Sequence, residues 1–121
     1  DPIDARDFDD AISIEYDKSR LFIWVHIADV AEFVDYNSQI DKEAMLRGNS
    51  YYFPERVYHM LPRILSTKFC SLEPKADRLS LSIKMNVDEK YNVTDYEIHE
   101  TVINSDKKFS CIFINRVHFA T

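Results

Sequence analysis

The first ten residues, DPIDARDFDD, hold five aspartates, one arginine and no lysine. Like charges at this density repel. Two carboxylates ~5 Å apart at an effective dielectric of ~20 cost roughly 3 kcal/mol. Water, arginines, a shared proton or divalent cations can relieve that cost. Asp7, Asp9 and Asp10 fall in DFDDA, where a loop feeds an alternating segment. In extended geometry Asp7 and Asp9 face one side, and the loop can return Asp1 or Asp4 towards them. Hard carboxylate oxygens in such a group suit Mg²⁺, with Mn²⁺ as a substitute. Two ions held by shared aspartates can cleave a phosphodiester, one activating water and the other stabilising the leaving oxygen. The competing reading is a solvated acidic loop, as charge runs usually are. A calcium-binding EF-hand loop is excluded. Counted from Asp7, Ile12 stands where that loop needs glycine and Lys18 where it needs a bidentate glutamate.

The acidic group must be carried by the elements that follow it. AISIEY (11–16) alternates at the strand period, DKSR (17–20) marks a turn, and LFIWVHIA (21–28) is a nearly continuous apolar, β-prone run. Together they predict a hairpin whose second strand is buried. NSQIDKEAMLRGNS (37–50) predicts a helix, capped by Asn37 or Ser38 and ended by Gly48. Pro54 and Pro62 make the next stretch irregular, with a short helix after Pro62. RLSLSIKMNV (78–87) puts Leu79, Leu81, Ile83 and Met85 on one face. With a turn at DEKYN (88–92) and the alternation of 93–103, it gives a second hairpin. The expected fold class is α+β, largely antiparallel β-hairpins with a helix packed on one side.

Bulk properties bound the function without choosing it. The 121 residues allow one domain at most, able to bury ~65% of the surface its unfolded chain exposes. The net charge of −6 argues against a general phosphate-binding surface, but five of the acids sit in the first ten residues and the remainder is nearly balanced. Cys70 and Cys111 are isolated, which points to a reducing, cytoplasmic setting. No apolar run approaches the ~18 residues of a membrane span, so no membrane partner is expected. A single glycine leaves tight turns to Asn, Asp and Ser. The start at Asp1 without Met, and an end at VHFAT with no capped element, suggest a piece of a longer polypeptide.

DPIDARDFDDAI, VHIADV, YYFPERV, MLPRILS and CSLEPKADRLSLS occur in that order. They resemble the catalytic (RNB) domain of the ribonuclease II / ribonuclease R family, closer to the ribonuclease R-like branch, from Asp1 to about Ser105. The resemblance implies a processive exoribonuclease hydrolysing single-stranded RNA from the 3′ end to nucleoside 5′-monophosphates, with Mg²⁺ held by four aspartates. By position those are Asp1, Asp7, Asp9 and Asp10, with Asp4 at most a helper. Tyr52, rather than its neighbour Tyr51, takes the place of the tyrosine that stacks near the 3′-terminal nucleotide. Stacking tolerates any base. Such chemistry needs no Ser, Cys or His nucleophile, in keeping with the scatter of His26, His59, His99 and His118.

The resemblance also implies parts this sequence lacks. The family's catalytic domain is several times longer, is flanked by small RNA-binding β-barrel domains, and supplies a transition-state arginine from its later part. Past Ser105, KKFSCIFINRVHFAT departs from the family's helical continuation. The expectation is therefore a fragment inactive by itself. The alternatives are a truncated or degenerate relative that holds RNA without cutting it, and a structural acidic-loop domain that binds no divalent ion.

Other residues take plainer readings. His26 is read as a hydrogen-bonded core histidine, Cys70 as a buried small hydrophobe, and Phe22 and Trp24 as core. Asp29 can support the metal site or cap the next helix. Arg56, Arg63, Lys68 and Arg78 can meet an RNA backbone or pair with surface acids.

Overall fold

The computed structural model describes residues 7–108; Asp1 and Asp4 lie outside the described residues. Strands β1 (Asp10–Asp17), β2 (Arg20–Ala28), β5 (Asp77–Val87) and β6 (Val93–Asn104) form one sheet in the order β1-β2-β5-β6, every neighbour antiparallel. Both predicted hairpins are present, β1–β2 and β5–β6. Two-residue strands β3 (Tyr51–Tyr52) and β4 (Val57–Tyr58) make a separate small hairpin inside the stretch read as irregular. Helix α1 spans Gln39–Arg47, and the predicted helical turn after Pro62 is a π-type turn at Leu65–Phe69. The fold is α+β, as expected.

Local chemistry explains these boundaries. The Ser38 hydroxyl accepts from the Asp41 N–H at 3.2 Å, and the Asp41 carboxylate accepts from the Asn37 N–H at 2.7 Å. This reciprocal cap fixes the start of α1. Gly48, at φ +70°, ends it in the left-handed conformation glycine adopts without strain. Elsewhere the turns differ from expectation. Of the other left-handed positions, Asn37 is the expected type, but Lys18, Lys75 and Tyr91 are not. Tyr91 is tolerated where the Asp88 carboxylate accepts from the Lys90 and Asn92 N–H groups, each at 2.8 Å.

Two further expectations are corrected. Helix α1 makes no extensive contact with the sheet. It sits against the segment after β4, where Arg47 donates to the His59 carbonyl at 2.8 Å. Strand β2 is central in its hydrogen bonding but not wholly buried: Leu21 to Val25 are half-covered, Ile27 is exposed, and His26 and Ala28 are buried. Among the described residues the buried core cluster lies at one end of β2. There Phe8, Ala28, Cys70 and Leu72 form the core, with Ala11, Val30, Leu65 and Ile103 against it. That end adjoins the acidic loop.

Candidate active site

The acidic loop is anchored by Phe8, the apolar residue between Asp7 and Asp9. Phe8 is buried between exposed or half-buried aspartates, Asp7 before it and Asp9 and Asp10 after it. Its backbone is held on both sides by the segment before β5. The Phe8 N–H donates to the Ser71 hydroxyl at 3.1 Å, and the Phe8 carbonyl accepts from the Leu72 N–H at 2.8 Å. The Asp9 carbonyl accepts from the Ala28 N–H at 2.9 Å, which ties the loop to the end of β2. Burying Phe8 therefore leaves its charged neighbours at the surface, on a backbone that is not free to shift. Ser71 itself is fully buried. Its role is not visible in sequence, where CSLEP serves only as part of a motif that carries the family resemblance.

The electrostatics follow from this crowding. The Asp9 carboxyl holds its proton to higher pH than an ordinary aspartate. Surrounding protein displaces its water, and Asp7 and then Asp10 repel its charge. Arg47, Lys75, Arg78 and Lys84 pair with Glu43, Asp106, Glu73 and Glu15 respectively, whereas Lys108 Nζ lies 5.4 Å from the centre of the Phe8 ring, beside the acidic loop.

Tyr52 reaches this loop from the small hairpin. Its hydroxyl donates to Asp7 Oδ2 across 45 positions of sequence. The hydrogen bond to Asp7, followed by burial and the charges of Asp7 and Asp9, pushes the phenol up to about 12. Tyr51 faces the other side of β3, so the structure separates the two adjacent tyrosines. Tyr52 as a whole remains 62% exposed.

Of the residues predicted for the site, Asp7, Asp9, Asp10 and Tyr52 thus lie together, and Asp1 lies outside the described residues. Among the described residues no group of three or more His, Cys, Asp or Glu side chains is arranged to hold a metal ion. The donor chemistry nonetheless suits one. Three hard carboxylates repel at the surface, which is the condition a divalent cation relieves. Asp29 makes no side-chain cap to the 3₁₀ turn at Val30–Glu32 that it precedes. Its charge and that of Asp9 both act on Cys70, whose thiol is raised first by burial, so Asp29 lies on the acidic side of the core.

The cationic candidates divide. Arg78 is structural: its guanidinium donates to the Ser71 carbonyl at 2.8 Å and the Asp77 carbonyl at 2.9 Å, bracing the segment that clamps Phe8. Arg56 lies over the Tyr58 ring, and Lys68 over Phe69. Arg56, Arg63 and Lys68 are exposed. Trp24 and Phe22 are half-buried rather than core, with Lys84 Nζ 4.2 Å from the Phe22 ring centre and 5.0 Å from that of Trp24.

A phenol and a set of crowded carboxylates are thus fixed at the end of an antiparallel sheet. The chain belongs to the RNB domain family, whose model matches residues 1–117. The match continues past Ser105, where the recognisable sequence motifs end. Ribonuclease R of Aquifex aeolicus is 46% identical over 111 residues, covering 91% of this chain and 16% of the relative. Ribonuclease R of Chlamydia pneumoniae is 50% identical over 102 residues, covering 84% and 15%. The solved structure of Mycoplasma genitalium RNase R in complex with ribose methylated single-stranded RNA superposes with a TM-score of 0.88 at 33% identity, covering 96% of this chain and 18% of that one. The chain therefore spans about one sixth of the length of these relatives.

Proposed function

We propose that this chain is the acidic, metal-ligating portion of a ribonuclease R-type exoribonuclease. In this reading it hydrolyses single-stranded RNA from the 3′ end to nucleoside 5′-monophosphates in the cytoplasm, together with the longer chain its relatives possess. The observation that carries the reading is the meeting of Tyr52 with Asp7 beside Asp9 and Asp10 on a clamped loop. Membership of the RNB family supports it, as does the RNA held by the similar Mycoplasma genitalium protein.

In this proposal Asp1, Asp7, Asp9 and Asp10 hold Mg²⁺, for which Mn²⁺ can substitute. The bound ion would lower the pKa of water and stabilise the leaving oxygen. The chain's own residues do the rest. Phe8 and Ser71 fix the loop so that its carboxylates need little ordering when the substrate arrives. The exposed Tyr52 stacks on the terminal base without reading it. The exposed Arg56, Arg63 and Lys68 add a salt-dependent attraction to the RNA backbone. The test is Asp10→Asn in the longest native chain that carries this segment. Mononucleotide release from a labelled single strand in saturating Mg²⁺ should fall by more than about 100-fold, the upper end of the loss seen for outer-shell partners alone. A rate within a few-fold of wild type would refute the assignment.

One observation favours a second reading, in which the protein holds RNA without cutting it. No three potential ligand side chains are arranged for a metal among the described residues. That reading requires RNA retention insensitive to EDTA and no mononucleotide product.

A further inference from the structure

We infer that Tyr52 is a positioning residue for Asp7, acting through its hydroxyl and separately from any stacking of its ring. The inference rests on the metal-ligand role proposed above for Asp7.

Three observations lead to it. First, the contact is between side chains of two independently built units. Asp7 belongs to the loop clamped by Ser71 and Leu72, whereas Tyr52 belongs to the β3–β4 hairpin, closed by Phe53 N–H to the Arg56 carbonyl at 2.9 Å. Fixing Asp7 to the hairpin therefore adds a constraint that the loop's own clamp on Phe8 does not supply. Second, the bond uses Oδ2 of a carboxylate, whose second oxygen and remaining lone pairs stay available to a cation. A phenol is a donor throughout the neutral range, so its proton opposes rotation of the carboxylate without competing for a metal. Third, the residue as a whole is exposed while its hydroxyl is engaged. One side chain thus presents two functions that a single substitution can separate.

Groups that orient a ligating carboxylate commonly govern metal affinity as much as the carboxylate's identity does. Tyr52→Phe keeps the ring and removes only the hydroxyl. Tyr52→Ala removes both. The experiment titrates Mn²⁺ alone into the intact native protein by calorimetry, without RNA, and repeats it for Tyr52→Phe, Tyr52→Ala and Asp7→Asn. Tyr52→Phe should weaken Mn²⁺ binding by about 10-fold, within the 10–100-fold range for outer-shell partners. Its kcat should fall at limiting Mn²⁺ and recover when Mn²⁺ is raised, while KM for a short single-stranded RNA stays within two-fold of wild type. Tyr52→Ala should weaken Mn²⁺ binding similarly and also raise KM. If Asp7→Asn weakens binding but Tyr52→Phe does not, the positioning role is wrong and the metal-site reading stands. If wild type and Asp7→Asn bind Mn²⁺ equally, or neither binds it, the metal-site reading itself fails and takes the inference with it.

Discussion

The two faces of the main sheet are built from opposite materials. On one, Ser80 and Ser82 of β5 are buried at 1% and 0% exposure beside His26 of β2, and their hydroxyls join Thr101 of β6. On the other, Ile12 and Ile14 of β1, Leu81 of β5 and Ile98 and Val102 of β6 are exposed, Ile12 by 68%. Polar groups are inside and aliphatic groups face outward. The difference comes from what covers each face. The segment around Cys70–Leu72 packs on one end of the polar face, and the hydroxyls there are satisfied by one another and by both nitrogens of His26. A buried polar ladder of this kind is stable only while every member keeps its partner. The aliphatic face has no comparable cover among the described residues.

The largest effect that would break this contrast is expected where the covered face meets the acidic loop. Phe8→Ala should destabilise the fold by about 3 kcal/mol, the range for emptying a buried aromatic site. A shift in the urea unfolding midpoint measures it. Because Phe8 also anchors Asp7 and Asp9, the same variant should loosen the site. Next comes the ladder itself. Ser13 and Ser82 each lie 2.6 Å from a His26 ring nitrogen. His26→Leu takes one partner from each hydroxyl, but Ser82 keeps Ser80 and Thr101 and Ser13 is exposed to water, so it should cost roughly 1 kcal/mol, the net worth of a hydrogen bond. A loss below about half a kcal/mol by the same measurement would show that the ladder is not what holds this face closed.

The pattern of residues disclosed the strands but not the direction of burial. Alternation along 78–87 correctly places Leu79, Leu81, Ile83 and Met85 on one side, and the register confirms that they share it with Val25 and Ile98. Alternation has a period but no sign. Which side is buried depends on segments far away in sequence, here 70–72, and on a histidine that can bridge two serines. The site divides in the same way. Asp7, Asp9 and Asp10 are legible because their crowding is local. The caps of α1 are legible for the same reason. Tyr52 was reached through its motif, but its bond to Asp7 spans 45 positions and had no local signal. Ser71 lies inside the CSLEP motif, but a serine that clamps a backbone N–H looks in sequence like any other serine.

Acid sharpens the comparison by charging one face only. Burial lowers the pKa of His26 below the ordinary 6.5. Between those two values the unfolded chain binds a proton that the folded chain refuses, so stability rises with pH in that window. It should be complete above about pH 6.5 and lost as pH falls through the folded-state value. His26→Leu should abolish that part of the slope in unfolding measurements from pH 7 to pH 5. An unchanged slope would assign it to other groups. Asp9 has the opposite sign. Its raised pKa means that acidification relieves crowding in the folded loop. Asp9→Asn should therefore stabilise the metal-free chain slightly at neutral pH, seen as a small rise in Tm.

The smallest effect is expected on the open face, and its smallness is informative. Leu81 stands opposite Ile27 in β2 and Glu100 in β6, and is 44% exposed. Leu81→Ser trims an aliphatic group that is already partly exposed to water. It removes little cross-strand packing, so stability should stay within about 0.5 kcal/mol. Its neighbour Ser80, one residue away and buried, has the opposite expectation. Ser80→Leu must fit a larger side chain beside Ser82 and Thr101 and strip a hydroxyl from their network. Such overpacking costs at least about 1 kcal/mol. Urea titration of the two variants side by side tests the assignment of faces directly. If Leu81→Ser were the more damaging, the aliphatic face would be the covered one in solution, closed by self-association. In that case the unfolding midpoint would also depend on protein concentration.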